Sequence, residues 1–229
     1  MIRLNRLSYN FGSNWALKDI SLHISKGEFI FLTGHSGAGK TTLMRLLYGA
    51  LPVQRGQATV AGYDLHSIKK KNIPMLRREL GVVFQDFKIL PNRSVYENVS
   101  LALTVRSMPK SIIDKRVRAI IRALGLENKS YTVCKRLSGG EQQRVAIARA
   151  MVVNPKLILA DEPTGNLDFE LSMHLMDVFK QFNTHGTTII MATHSREILR
   201  CVPDAKVVHL EDGQLCEPPE YILSELCRC

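Results

Sequence analysis

Gly34-His35-Ser36-Gly37-Ala38-Gly39-Lys40-Thr41 is the stretch on which the reading of this chain turns. An apolar run, Phe29-Ile30-Phe31-Leu32, comes before it, and Thr42-Leu43-Met44-Arg45-Leu46-Leu47, with helical character, comes after. A strand, a loop spaced G-x-x-x-x-G-K-[ST] and a helix together make a phosphate-binding loop. Glycines let the backbone wrap closely, so that successive N–H groups point inward at phosphate oxygens. The start of the following helix adds partial positive charge at the same place. Lys40 is placed to reach the β- and γ-phosphates and the Thr41 hydroxyl to ligate Mg²⁺. Gly34, His35, Ser36, Gly37, Ala38, Gly39, Lys40, Thr41 and Thr42 are therefore candidate nucleotide contacts.

A second stretch supplies acids. Leu157-Ile158-Leu159-Ala160 is a buried-type strand that ends in Asp161-Glu162. In a parallel sheet such a strand delivers its C-terminal end to the ligand crevice. Adjacent side chains leaving a strand diverge, so one carboxylate can face a metal while the next faces an attacking water. Asp161 is assigned to the metal and Glu162 to the general base. Thr187-Thr188-Ile189-Ile190-Met191-Ala192-Thr193 is a further buried strand with His194 just past its end, a candidate γ-phosphate sensor.

A third stretch, Leu137-Ser138-Gly139-Gly140-Glu141-Gln142-Gln143-Arg144, opens a helix. Ser138 and Glu141 form a capping box. Two glycines in a helix's first turn cost about 1 kcal/mol each relative to alanine, which implies that something approaches this backbone closely. A second phosphate contact, through Ser138, Gly139 and Gly140, fits that requirement.

The bulk properties set the class. The 229 residues are 45% hydrophobic and 23% charged, enough to bury a sizeable core. No apolar run approaches the roughly 18 residues a membrane span requires. The N-terminus has no signal-peptide core, so the protein is expected in the cytosol. A net charge of +10 favours an anionic neighbour: nucleotide, nucleic acid or membrane surface. The basic clusters, such as Lys69-Lys70-Lys71, lack interleaved aromatics or a DNA-reading motif, so nucleic acid is disfavoured. Five cysteines without zinc spacing read as free thiols.

Along the rest of the chain, residues 2–9 and 17–24 look like short strands, with Phe11 and Trp15 between them. Gly81-Val82-Val83-Phe84 is a brief strand ending at Gln85-Asp86. Residues beyond it turn helical: Ser94 can cap one helix, and Ile113, Val117, Ile120, Ile121 and Leu124 repeat at helical spacing until Gly125. Val207 to Gly213 gives a closing hairpin, and residues 218–229 one exposed helix.

The phosphate loop, LSGGEQQR, LILADEP and the strand-end Thr-His-Ser together resemble the ATPase subunit of an ATP-binding cassette system, over almost the whole chain. The resemblance implies an α/β fold: a P-loop NTPase (RecA-like) core with an N-terminal antiparallel β-subdomain and an inserted α-helical subdomain. It implies one domain over 1–229, with 1–86 and 153–229 as β-subdomain and core and 87–152 as the helical part. It places Gln85 in the Q-loop, at the metal and at the joint between core and helices. Asp168 in Gly-Asn-Leu-Asp falls in the D-loop, and His194 is the switch histidine. Phe11 falls at the base-stacking aromatic, with Tyr9 and Trp15 as rivals, and Ser195 stands where aspartate is common. ATP and Mg²⁺ are the implied cofactors. An ATP-bound homodimer is implied, the phosphate loop of one copy facing Ser138-Gly139-Gly140 of the other. The chain would sit on the inner face of the cell membrane, against an integral membrane subunit docked in the groove beside Gln85 and the helices. Within the superfamily, the segments around Lys40 and Asp161 look most like the bacterial cell-division ATPases of the FtsE group, whose membrane partner is FtsX-like. Lipoprotein-releasing or macrolide-type exporters are the alternative, and a nucleotide-operated switch with little turnover is another.

Overall fold

In a computed structural model, residues 1–220 and 222 are described. The chain begins with β1 (Ile2–Phe11) and β2 (Asn14–Ile24), and β3 (Phe29–Thr33) leads into α1 (Lys40–Leu47). After these come β4 (Arg55–Val60), β5 (Tyr63–Asp64), α2 (Ile73–Arg78) and β6 (Leu80–Val83). Three helices follow, α3 (Val95–Thr104), α4 (Lys110–Ala123) and α5 (Gly139–Met151). The chain returns to β7 (Leu157–Asp161), α6 (Phe169–Thr184), β8 (Thr188–Ala192), α7 (Arg196–Arg200), β9 (Lys206–Glu211) and β10 (Gln214–Cys216).

Two sheets result. The smaller runs β2-β1-β4-β5 and is antiparallel throughout. The larger runs β10-β9-β3-β8-β7-β6, parallel except for β10. Every residue of β3, β7 and β8 is buried. Their sequences are accordingly continuous apolar runs rather than alternating ones, because both faces of a parallel sheet are covered. One apolar cluster, with α3–α6, covers one face, and a second, with α1 and the small sheet, covers the other.

β1 and β2 run longer than the 2–9 and 17–24 expected, and Phe11 and Trp15 lie within them, joined by a two-residue turn. Arg6 and Asp19 hold positive φ at 47° and 53°, at shifts in the strand register. Their N–H groups donate to Ser21 Oγ and Ser8 Oγ instead of to the ladder. Such bulges interrupt the period-two pattern from which strand length is read.

Helix ends follow their sequence signals. Ser94 accepts from Glu97 N–H, and Glu97 bonds back to Ser94 N–H. α4 stops at Gly125 (φ 63°), with Gly125 N–H on Arg122 O and Leu126 N–H on Ile121 O, a Schellman closure. The exposed terminal helix expected over 218–229 is corrected where it can be seen: Ile222 is buried in the first apolar cluster. Residues 221 and 223–229, with Cys227 and Cys229, lie outside the described part. Cys134, Cys201 and Cys216 are free. Among the described residues no helix is long and apolar enough to cross a membrane.

Candidate functional site

Four adjacent parallel strands, β3, β8, β7 and β6, end on the same edge of the large sheet. Past those ends come the phosphate loop, His194, Asp161-Glu162 and Gln85, so parallel pairing alone brings four distant segments together. They line a cavity of about 500 Å³, with Ala16, Gly34 to Gly37, Gly39 to Thr42, Gln85, Asp161, Glu162 and His194 on its walls. Ala38 is buried beneath the loop.

The loop is fixed by close backbone approach. Gly34 has φ 140°, and a Cβ there would lie 2.2 Å from Leu210 O. Gly39, at φ 106°, caps α1, and its Cβ would meet Ala16 O at 2.6 Å. Only glycine satisfies both demands. Lys40 Nζ donates to Gly34 O at 2.7 Å and His35 O at 3.0 Å. The ammonium therefore spans the loop it belongs to. His35 reaches Asp212 at 3.4 Å, and the buried Thr33 hydroxyl lies 2.9 Å from His209 Nδ1, which ties the loop's base to β9. Burial pushes the His209 imidazole below its ordinary value, and Lys40 and His35 push the same way against Glu211.

Thr41 Oγ1 donates to Asp161 Oδ2 at 2.9 Å, and Asp161 is 9% exposed. With Gln85 on the same cavity, these are hard oxygen donors suited to Mg²⁺. Among the described residues no group of three or more His, Cys, Asp or Glu could hold a metal unaided.

Glu162 follows immediately in the left-handed region at φ 48°. A non-glycine residue there costs of order 1–3 kcal/mol and persists only where its surroundings impose it. Its N–H donates to Ala192 O at 3.0 Å. Gln143, fully buried, donates to Pro163 O at 2.8 Å and is itself met by the Asn166 amide at 3.4 Å. The turn sends the Glu162 carboxylate away from Asp161, and its Oε1 lies 2.8 Å from His194 Nδ1. An ionised carboxylate only accepts, so Nδ1 is the donor in this contact. Sequence reasoning does not find Gln143, because its partner Pro163 O is 20 residues away and is met only once α5 lies against this turn.

Other expected contacts lie elsewhere. Ser138 caps α5, accepting from Glu141 N–H while Glu141 bonds Ser138 N–H. Asp168 caps α6 through Leu171 N–H at 2.8 Å. Ser195 caps α7, so serine does there what an aspartate would. None of Ser138, Gly139, Gly140 and Asp168 lines the cavity. Phe11 does not line it either; it is 51% exposed and packs edge-on against Tyr9. Trp15 is covered by the Arg55 guanidinium, 5.1 Å from its ring.

Comparison with known proteins agrees with this geometry. The ABC transporter family model matches residues 17–165. A protein of Streptococcus pneumoniae named cell division ATP-binding protein FtsE is 46% identical over 87% of this chain and 86% of its own length. The Escherichia coli protein of that name is 42% identical over 94% of this chain and 97% of its own. A dimeric ATP-binding cassette in a post-hydrolysis state, bound to ADP and Pi, superposes with a TM-score of 0.87 at 31% identity, covering 94% of this chain and 96% of that one. The chain therefore belongs to the ABC transporter family, as an ATPase cassette similar over most of its length to the cell-division proteins named FtsE.

Proposed function

We propose that this chain is the ATP-hydrolysing subunit of a membrane complex that acts in cell division, with an FtsX-like integral membrane protein as partner. Two copies bind two ATP molecules head to tail, each nucleotide lying between the phosphate loop of one copy and Ser138-Gly139-Gly140 of the other. The observation that carries this reading is the half-built cavity. Lys40, Thr41, Gln85, Asp161, Glu162 and His194 converge on it, while the glycine-rich start of α5 stands outside. A Cβ at Gly139 would meet nothing within 4 Å, so nothing in its own chain requires glycine there. An approaching nucleotide from a second copy supplies the requirement, and one more helix start helps to enclose the triphosphate.

Thr41, Asp161 and Gln85 would hold Mg²⁺, which when bound offsets charge on the β- and γ-phosphates. Glu162 takes the proton from the attacking water, and His194 keeps that carboxylate aimed. Lys40 stabilises charge on the transferred phosphoryl group, and Asp168 lies in the segment that faces the second copy. Phe11, exposed at the end of β1, is the adenine platform. Hydrolysis separates the copies, and that motion is handed to the membrane subunit. The names carried by the relatives favour cell division over lipoprotein or macrolide export. The cationic surface, at net charge +10, suits a peripheral place on the anionic inner face of the membrane.

Light scattering tests the clamp. Glu162→Gln with ATP and Mg²⁺ is expected to run as a dimer, and Ser138→Arg in that background as a monomer. A dimer that ignores Ser138→Arg would refute the head-to-tail arrangement.

A further inference from the structure

The β1–β2 hairpin lies against the nucleotide cavity. Ala16 is on the cavity wall, and a Cβ on Gly39, the last glycine of the phosphate loop, would stand 2.6 Å from Ala16 O. Near its turn the hairpin carries the rings of Tyr9, Phe11 and Trp15. Phe11 is the last residue of β1 and stands opposite Asn14 across the turn. Its ring meets Tyr9 edge-on, with the centroids 5.0 Å apart, and Tyr9 is buried.

The end of β1 is held from outside the hairpin. The β1–β4 ladder runs from Ile2 opposite Val60 to Ser8 opposite Arg55 and stops there. β4 begins at Arg55, and Pro52, just upstream, has no N–H with which to carry the ladder on toward Phe11. The side chain of Gln54 takes over. Its Oε1 accepts from Asn10 N–H at 2.8 Å, and its Nε2 donates to Asn10 O at 3.1 Å. With one donor and one acceptor, the amide reproduces the two-bond exchange of an antiparallel pair. Next to it, the Arg55 guanidinium covers Trp15, which stands opposite Asn10 in β2. Gln54 is exposed, and an exposed glutamine ordinarily keeps its rotameric freedom. Here two bonds to a single residue fix it, one position before Phe11.

We propose that Gln54 is a positioning residue for the nucleotide's base: by extending the edge of β1 past the end of β4, it holds the Phe11 ring where adenine stacks. This deepens the reading of Phe11 as the adenine platform and rests on it. Stacking depends on how the ring faces its partner. A platform already in place spares the ligand the cost of ordering it. Gln54 does not line the phosphate cavity, so its effect falls on the base and leaves the grip of Lys40 on the phosphates as it is.

Tripolyphosphate carries the phosphate chain without the base and separates the two effects. Calorimetric titration of the full-length protein with ATP and with tripolyphosphate, both with Mg²⁺, makes the test. Gln54→Met keeps the length of the side chain and removes both bonds. It is expected to weaken ATP about fivefold and to leave tripolyphosphate unchanged, while Phe11→Ala weakens ATP about tenfold. Gln54→Met added to Phe11→Ala should cost nothing further, because no ring is left to position. An equal loss for both ligands would make Gln54 a general brace of the fold and overturn the proposal, as would a further loss in the double variant. ATP binding unchanged by Gln54→Met but weakened by Phe11→Ala would refute the positioning role and leave the platform standing. ATP binding unchanged by Phe11→Ala would remove the platform and this inference with it.

Discussion

Glu162 Oε1 and His194 Nδ1 stand 2.8 Å apart, although 32 residues separate them in the chain. Both lie just past the ends of neighbouring strands, β7 and β8, where Asp161 pairs with Ala192. Parallel pairing of the two strands therefore sets the distance between the backbones that carry the two side chains. A base and its orienting group acting as one unit should give non-additive losses. Glu162→Gln is expected to cut phosphate release by about 10²–10⁴-fold, the usual contribution of a general base. His194→Ala should cut it less, and the double variant should be no slower than Glu162→Gln alone. Single-turnover phosphate release checks this, and multiplicative losses would show that the two side chains act independently.

Gln143 is the buried clasp between α5 and the turn that carries Glu162. Gln143→Leu keeps the volume roughly but strips Pro163 O of its donor. An orphaned buried acceptor costs about 1–3 kcal/mol. A lower urea midpoint is expected, together with a fall in kcat that exceeds any change in ATP affinity. A variant of unchanged kcat would mean that the Glu162 turn holds its shape without the amide.

His209 predicts a dependence on acid. Its folded value lies below the ordinary 6.5, chiefly through burial, so it resists protonation in the native protein. The unfolded chain takes up the proton first as pH falls below 6.5, and stability drops with it. The contribution is complete above 6.5 and disappears as pH descends through the depressed folded value. His209→Gln, which keeps a partner for the Thr33 hydroxyl, should flatten that slope. Urea melts at several pH values between neutrality and mild acid measure it, and an identical slope in the variant would contradict this assignment.

Much of this arrangement was legible in the sequence because it depends on short-range facts. A parallel sheet puts strand ends together; Gln85, Asp161, Glu162 and His194 each follow an apolar run closely, and Lys40 ends the glycine loop that follows another. What escaped depends on partners distant in sequence. Gln143 matters only because α5 lies against the Glu162 turn, and nothing within α5 announces that neighbour. The bulges at Arg6 and Asp19 are fixed by serines on the opposite strand, so local alternation breaks where pairing continues. Ser138 and Asp168 are each an ordinary helix cap in this chain, and the role proposed for them between two copies would need another molecule. Ile222 could not be told from an exposed residue because its burial is decided by the cluster it meets.

The hold of Lys40 on Gly34 O and His35 O makes the lysine a strut as well as a cation. Its ammonium ties the end of the loop back to its beginning through two carbonyls. Truncating it to alanine would therefore slacken the loop's own backbone in addition to removing a positive charge from the cavity.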